Sequence, residues 1–176
     1  MLINNYLGFV ENNKIFSLPV YYNGLFTRNV HELKSVFGCF IDLEDVFHYK
    51  NENHKKMFQL SDQLVKELKE SDVIIISAPI YNYGPPATLK AWSDLAARVG
   101  ETFRFKSNGR REGLLKNKRA YLVITSGGTK LNSSEDFLTP WLKFILNFFG
   151  IENVQTISAD QMALDYEKSI KEAHKQ

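Results

Sequence analysis

The eight residues from Asp72 to Pro79 contain an unbroken apolar run that few folds can accommodate. The segment reads DVIIISAP, with four β-branched residues in succession and no alternation of polar with apolar positions. A strand of this kind needs cover on both faces, which is typical of a parallel sheet in an α/β protein. Tyr121–Thr125 repeats the pattern, and Val154–Ser158 is a weaker third case that predicts an edge strand.

Segments with apolar residues at helical spacing lie between and after these strands. They are residues 54–70, a segment from Pro85 to Gly100, one from Thr139 to Gly150 and one from Met162 to Ala173. Proline is tolerated in the first turn of a helix, and Thr139 before Pro140 is a suitable N-cap. Alternating strands and helices predict right-handed parallel crossovers and a three-layer α/β fold.

The first third of the chain has weaker patterns. Lys14–Val20 and Cys39–Leu43 are predicted strands, and Val30–Phe37 is a short predicted helix between them. A chain of 176 residues is long enough for one domain with a real core, and no linker or repeat interrupts it. We therefore predict a single domain over residues 1–176.

Charge and cysteine content argue against several classes of protein. The 22 basic and 20 acidic residues are interspersed, so the chain has no evident electrostatic surface for nucleic acid. The single cysteine, Cys39, excludes an intrachain disulfide and fits a reducing compartment. No apolar run reaches the roughly 18 residues of a membrane span, and the first residues do not resemble a signal peptide. We expect a cytoplasmic protein that binds neither nucleic acid nor membrane. The four histidines lack metal-ligand spacing, so we expect no metal site.

Two loops follow the central predicted strands at their carboxyl ends, where α/β folds bind ligands. One contains Ile80, Tyr81, Asn82 and Tyr83, and the other contains Ser126 followed by Gly127 and Gly128. Tight turns alone account for the Asn and Gly residues. Aromatic faces beside exposed backbone N–H groups would equally suit a planar, electron-rich ring such as an isoalloxazine.

The sequence of these loops and of later segments resembles a known family. The segments are APIYN at 78–82, DLAARVGETFRF at 94–105, LTPWL at 138–142 and FFGI at 148–151. They resemble the FMN-dependent NADH-azoreductases, which are flavodoxin-like NAD(P)H quinone reductases. The similarity extends over about Gln59–Ala159, and it implies a flavodoxin-like three-layer sandwich with strand order 2-1-3-4-5.

The resemblance also implies how such a protein works. It implies a homodimer with FMN near the interface, reduced by NADH or NADPH and reoxidised by a quinone or azo compound. Ile80, Tyr81, Asn82 and Tyr83 would line the isoalloxazine, and Ser126, Gly127 and Gly128 would contact its polar edge. Phe105 and Phe148 would shape the substrate pocket, although core or interface packing explains them equally well. No side chain has to be an acid or base, because the flavin carries the chemistry.

Residues 1–50 depart from the family. Members begin with a strand and a serine-rich loop that holds the FMN phosphate at a helix N-terminus, and that loop is not recognisable here. The nearest candidate is Ser17–Asn29, in which Arg28 could pair with the phosphate. Two hypotheses follow: an FMN-dependent oxidoreductase with a rebuilt loop, or a non-catalytic flavodoxin-like dimer that has lost tight FMN binding. A second departure lies in the loop after the strand Tyr121–Thr125. Family members usually have one more residue between the serine that matches Ser126 and the glycines that match Gly127 and Gly128.

Overall fold

The structure is a computed structural model that describes residues 15–19 and 52–176. The predicted helix Val30–Phe37, the predicted strand Cys39–Leu43 and the predicted phosphate contact Arg28 lie outside the described residues.

Among the described residues, six strands form two sheets. They are β1 (Ile15–Pro19), β2 (Val73–Pro79), β3 (Phe103–Phe105), β4 (Arg111–Gly113), β5 (Arg119–Thr125) and β6 (Asn153–Ala159). The main sheet is parallel with the order β1-β2-β5-β6, and Val73 pairs with Ile15 on one side and Arg119 on the other. This order agrees with the predicted one for the four described strands, and β6 lies at the end of the described sheet, as predicted.

Helices connect and cover these strands. They are α1 (Glu52–Glu70), α2 (Ala87–Ala96), α3 (Leu138–Phe149) and α4 (Tyr166–Ala173). Val73, Ile74, Ile75 and Ile76 are all buried, so both faces of β2 are covered, as the apolar run predicts. One face of the main sheet packs against α2 and α3 through a core that includes Leu122, while α4 packs on β6.

Two predicted helix boundaries were wrong. The second helix ends at Ala96 and does not reach Gly100, because the Thr102 hydroxyl donates to the Ala96 carbonyl at 2.7 Å and accepts from the Arg98 N–H at 3.0 Å. The last helix begins only at Tyr166. Its N-cap is Asp165, whose carboxylate accepts the Lys168 N–H at 3.0 Å.

The predicted cap of α3 was also wrong. The helix begins at Leu138, and the buried carboxylate of Asp136 accepts the Thr139 N–H at 2.9 Å. Asp136 also accepts the Asn132 N–H at 2.9 Å and so closes the preceding loop onto the helix. The N-cap position is Phe137, so the carboxylate that bonds the first turn comes from the residue before it, and Thr139 itself is fully buried.

The antiparallel hairpin of β3 and β4 was not predicted. Arg104 forms an ion pair with Glu112 across the hairpin at 2.7 Å. The hairpin is locked to the carboxyl end of α3, since the Leu115 N–H donates to the Phe149 carbonyl at 2.8 Å. A Cβ on Gly113 would lie 2.1 Å from the Gly150 nitrogen, so this contact requires glycine. Within the described residues no helix is both long and apolar enough to cross a membrane.

Candidate functional site

The loops after β2 and β5 meet at the carboxyl edge of the sheet, as predicted from the sequence. The Ile80 N–H donates to the Thr125 carbonyl at 2.8 Å, which joins the first loop to the end of β5. The Phe137 N–H donates to the Tyr83 carbonyl at 2.8 Å, which joins the same loop to the start of α3. The two loops and the first turn of α3 therefore form one connected surface.

The first loop contains a tight turn from Tyr81 to Gly84. The Tyr81 and Gly84 N–H groups donate to each other's carbonyls at 3.0 and 2.9 Å, and the φ angles of Asn82 and Tyr83 are 47° and 69°. Two central residues with positive φ define a type I′ turn, in which asparagine followed by glycine is preferred. Tyrosine in this conformation costs about 1–3 kcal/mol, and such strain concentrates at functional sites.

The turn presents aromatic surface and hydrogen-bond donors outward. Tyr81 and Tyr83 are 39% and 53% exposed, whereas the preceding Ile80 is buried. In the part of the chain that the structure describes, the backbone N–H groups of Asn82 and Tyr83 make no hydrogen bond. A planar ligand could stack on these rings and accept from these donors.

Gly127 and Gly128 form an open stretch of backbone in the second loop. Both are exposed and have ordinary φ angles, so chain conformation does not require glycine at either position. A Cβ on Gly128 would meet no atom within 4 Å, and one on Gly127 would meet only the Ala163 Cβ, at 4.0 Å. Among the described residues their N–H groups also have no acceptor. The missing side chains leave two donors accessible to a ligand.

Ser126 has a different environment from the two glycines. It is buried, and its hydroxyl donates to the Thr129 carbonyl and accepts the Gln161 N–H at 3.1 Å. Its carbonyl accepts the Met162 N–H at 3.0 Å. The hydroxyl is therefore used to hold the loop after β6 against the glycine loop, which favours a positioning role. Direct contact between this serine and a cofactor stays a prediction.

Phe105 and Phe148 lie far from these loops within one copy of the chain. Phe148 precedes the Gly150 that contacts β4, and β6 begins at Asn153, so Phe148 is at the amino edge of the sheet. A seven-residue strand spans roughly 20 Å, which separates this edge from the carboxyl edge. Phe105 belongs to the same cluster, through Phe103, whose ring centroid is 5.7 Å from that of Phe105 and 4.3 Å from that of Phe148. The predicted pocket can form only if another molecule brings the two edges together.

The carboxyl-edge surface fits a flavin ring better than an acid–base or metal centre. It offers two tyrosine rings and four backbone donors, which match a planar ring with a polar edge. Among the described residues no group of three or more His, Cys, Asp or Glu side chains could hold a metal ion. The residues that would hold the ring are Tyr81, Asn82, Tyr83, Gly127 and Gly128. Ile80 is buried and its N–H bonds Thr125, so a direct contact between Ile80 and the ring stays a prediction.

Sequence reasoning missed two parts of this site. The hydrogen bond from Phe137 to Tyr83 and the contact between Ser126 and the loop after β6 are both long-range. A signal for the second was present, since Asp160 and Gln161 are polar residues directly before the predicted helix, and Asp165 inside it is a suitable N-cap. The positive φ of Gln161, 55°, turns the chain there.

The amino-acid sequence of this chain is similar to the sequences of several named proteins. Over 127 residues the chain is 87% identical to an FMN-dependent NADH:quinone oxidoreductase of Pelagibacter ubique, which covers 72% of this chain and 66% of that protein. It is 52% identical over 101 residues to a protein of the same name from Thiobacillus denitrificans, covering 57% of this chain and 49% of that one. The chain thus spans between about half and two thirds of the length of these relatives.

Solved structures and a family model agree on the fold. The crystal structure of an FMN-dependent NADH-azoreductase from Bacillus anthracis in complex with FMN superposes with a TM-score of 0.67 at 24% identity, covering 82% of this chain and 68% of that one. At this identity the likeness concerns the fold alone. A family model described as a flavodoxin-like fold matches residues 23–176. We conclude that this chain belongs to the family of proteins with a flavodoxin-like fold.

Proposed function

We propose that the chain is an FMN-dependent NADH:quinone oxidoreductase that also reduces azo compounds. The observation that carries this proposal is the 87% identity over 127 residues to a relative of that name. The chain covers 66% of that relative, so its activity, cofactor and substrates are proposed and not transferred as facts. The strained turn and the open glycine backbone support the same conclusion independently.

Bound FMN would supply the redox chemistry, taking a hydride from NADH or NADPH and passing two electrons to an acceptor. A quinone that gains two electrons and two protons becomes a hydroquinone, and complete cleavage of an azo bond takes four of each. The backbone N–H groups of Asn82, Tyr83, Gly127 and Gly128 would hold the polar edge of the ring. We propose NADH as the donor, following the names of the relatives.

We also propose that the active form is a homodimer. An apolar stripe runs from Phe137 along α3 at helical spacing, through Trp141, Phe144 and Phe148, of which Trp141 and Phe148 are partly buried against the core. Phe137 and Phe144 are 61% and 58% exposed, which is unusual for such large side chains. A second copy on this stripe would bury it and could bring Phe105 and Phe148 of one copy to the flavin loops of the other.

The single cysteine supports a cytoplasmic setting.

The first experiment is the visible absorbance spectrum of the purified chain, before and after addition of excess FMN and desalting. A flavin band that survives desalting and bleaches with NADH under anaerobic conditions is the expected result. Arg28→Ala should then weaken retention if this arginine replaces the missing phosphate loop. A colourless protein that keeps no FMN would contradict the proposal and favour the non-catalytic alternative.

A further inference from the structure

An open cavity of about 310 Å³ lies between the β3–β4 hairpin and the carboxyl end of α3. Phe144 and Phe148 supply aromatic surface, Asn147 an amide, and Arg111 and Lys116 two cationic groups. This combination suits a planar aromatic anion. The phenylalanine rings can pack on the ligand's rings, and the cationic side chains can pair with its charge.

Arg111 is held in place without a carboxylate partner. In the described part of the chain it makes no ion pair, and its guanidinium carbon lies 5.3 Å from the centre of the Phe148 ring. Arg111 pairs with Phe105 across the hairpin, so both side chains lie on the same face, the one that contacts Phe148. Cation–π contact and packing thus orient a guanidinium whose donors remain available for an anion.

The surrounding charges favour an anion. Arg104 and Lys106 share the carboxylate of Glu112, at 2.7 and 3.2 Å, so that acid is already neutralised. Among the described residues that line the cavity, Glu152 is the one acid; it pairs with Lys116 at 3.2 Å and its side chain is 71% exposed. In the same described lining, Arg111 is the cation without such a pair.

We propose that this cavity binds the anionic substituent of an aromatic electron acceptor, so that the enzyme prefers acceptors carrying a sulfonate or carboxylate. This inference rests on the proposed function, in which Phe105 and Phe148 lie beside the flavin of a second copy. Arg111 would be the residue that determines specificity. The electron donor NADH also combines aromatic rings with anionic groups, so the test must separate donor from acceptor.

Binding is tested first, with two fluorescent probes that cannot be reduced. One is 1-anilinonaphthalene-8-sulfonate, and the other is N-phenyl-1-naphthylamine, which has the same rings without the sulfonate. Arg111→Gln should raise the dissociation constant of the sulfonate about tenfold, the effect of losing one charge-assisted hydrogen bond, and leave the neutral probe unchanged. Arg111→Lys should retain most of the affinity for the sulfonate.

Arg119→Gln is the matched control, since it removes an exposed arginine from the same edge of the sheet but outside this cavity. If Arg119→Gln weakens the sulfonate as much as Arg111→Gln does, binding is nonspecific and the inference is wrong. Thermal unfolding of each variant without ligand should match that of the parent, because both arginines are exposed.

Steady-state kinetics with 1,4-naphthoquinone and its 2-sulfonate then identify the ligand. Arg111→Gln should raise the KM of the sulfonated quinone and leave kcat, the KM of the neutral quinone and the KM of NADH unchanged. A raised KM for NADH alone would assign the cavity to the donor and overturn the inference. Equal kinetics of variant and parent with both quinones would also overturn it. If the parent reduces neither quinone, the proposed function fails, whereas Arg111-dependent binding of the sulfonate probe would still locate an anion site.

Discussion

At the scale of single residues, Gly127 and Gly128 are informative because the protein's own packing does not require them. We predict that Gly128→Ala leaves the unfolding temperature of the FMN-free protein unchanged, since its Cβ would meet no atom within 4 Å. FMN affinity should fall at least about tenfold, equivalent to about 1.4 kcal/mol, because the methyl group would occupy space needed by the ring. Titration of FMN fluorescence and differential scanning fluorimetry measure the two effects.

The matched control is Gly113→Ala, whose Cβ would lie 2.1 Å from a backbone nitrogen of Gly150. This variant should lose stability whether or not FMN is present. If Gly128→Ala binds FMN as tightly as the parent, the ring does not lie against this backbone.

We expect substitution of Ser126 to lower stability more than FMN affinity, unlike substitution of its glycine neighbours. Ser126→Ala removes the acceptor of the Gln161 N–H and the donor to the Thr129 carbonyl, both inside the protein. The free energy of unfolding in urea should fall by about 1–3 kcal/mol, the usual cost of leaving buried polar groups unpaired. FMN affinity should fall less than in Gly128→Ala. The opposite order would mean that the serine hydroxyl contacts the cofactor directly.

At the scale of elements, a polar network joins the middle of α1 to the carboxyl end of α2. Ser61 is buried and donates to the Leu95 carbonyl at 2.7 Å, while the Arg98 guanidinium donates to Ser61 at 2.8 Å and to Asp62 at 3.0 Å. We predict that Ser61→Ala lowers the free energy of unfolding by about 1–2 kcal/mol, because Leu95 loses its donor. Ser107→Ala, on the exposed hairpin, is the control and should leave urea unfolding unchanged.

The stability of the folded hairpin should depend on pH, and the titration of Glu112 determines the direction of the change. Hydrogen bonds from Arg104 and Lys106 hold the pKa of this carboxyl below its ordinary value of 4.5. The charged form therefore favours the folded hairpin above pH 4.5, and that contribution is lost as pH falls through the lowered pKa. An NMR titration of the Glu112 carboxyl should give a higher pKa in Arg104→Gln than in the parent. An unchanged pKa would show that the ion pair does not persist in solution.

At the scale of the whole molecule, the apolar stripe on α3 predicts the oligomeric state. Phe144→Lys replaces a ring that is 58% exposed with a charge, so the folded monomer should tolerate it and the dimer should not. We expect a shift from dimer to monomer in analytical ultracentrifugation and a loss of quinone reduction. Leu164→Lys, at a residue 72% exposed outside the stripe, is the control and should leave the dimer intact. A parent protein that sediments as a monomer would contradict the proposal.

Much of the fold follows from local pattern alone. The run from Val73 to Ile76 demands cover on both faces, and the position of the two candidate loops follows from the rule that parallel strands end at one edge. These features depend on periodicity and on neighbours along the chain, so a single sequence is sufficient to predict them.

Contacts that periodicity does not encode decided the remainder, some of them local and some between distant segments. The Thr102 hydroxyl sets the end of α2 and the Asp136 carboxylate bonds the first turn of α3, both within six residues, whereas Gly113 holds the hairpin against the distant Gly150. Ser126 binds a loop 35 residues later, which no local propensity encodes. Hydrogen bonds and close packing between distant residues depend on where the chain brings them together. For this reason the sequence located the candidate site, while the tertiary structure decided which of its groups are open to a ligand and which hold the loops in place.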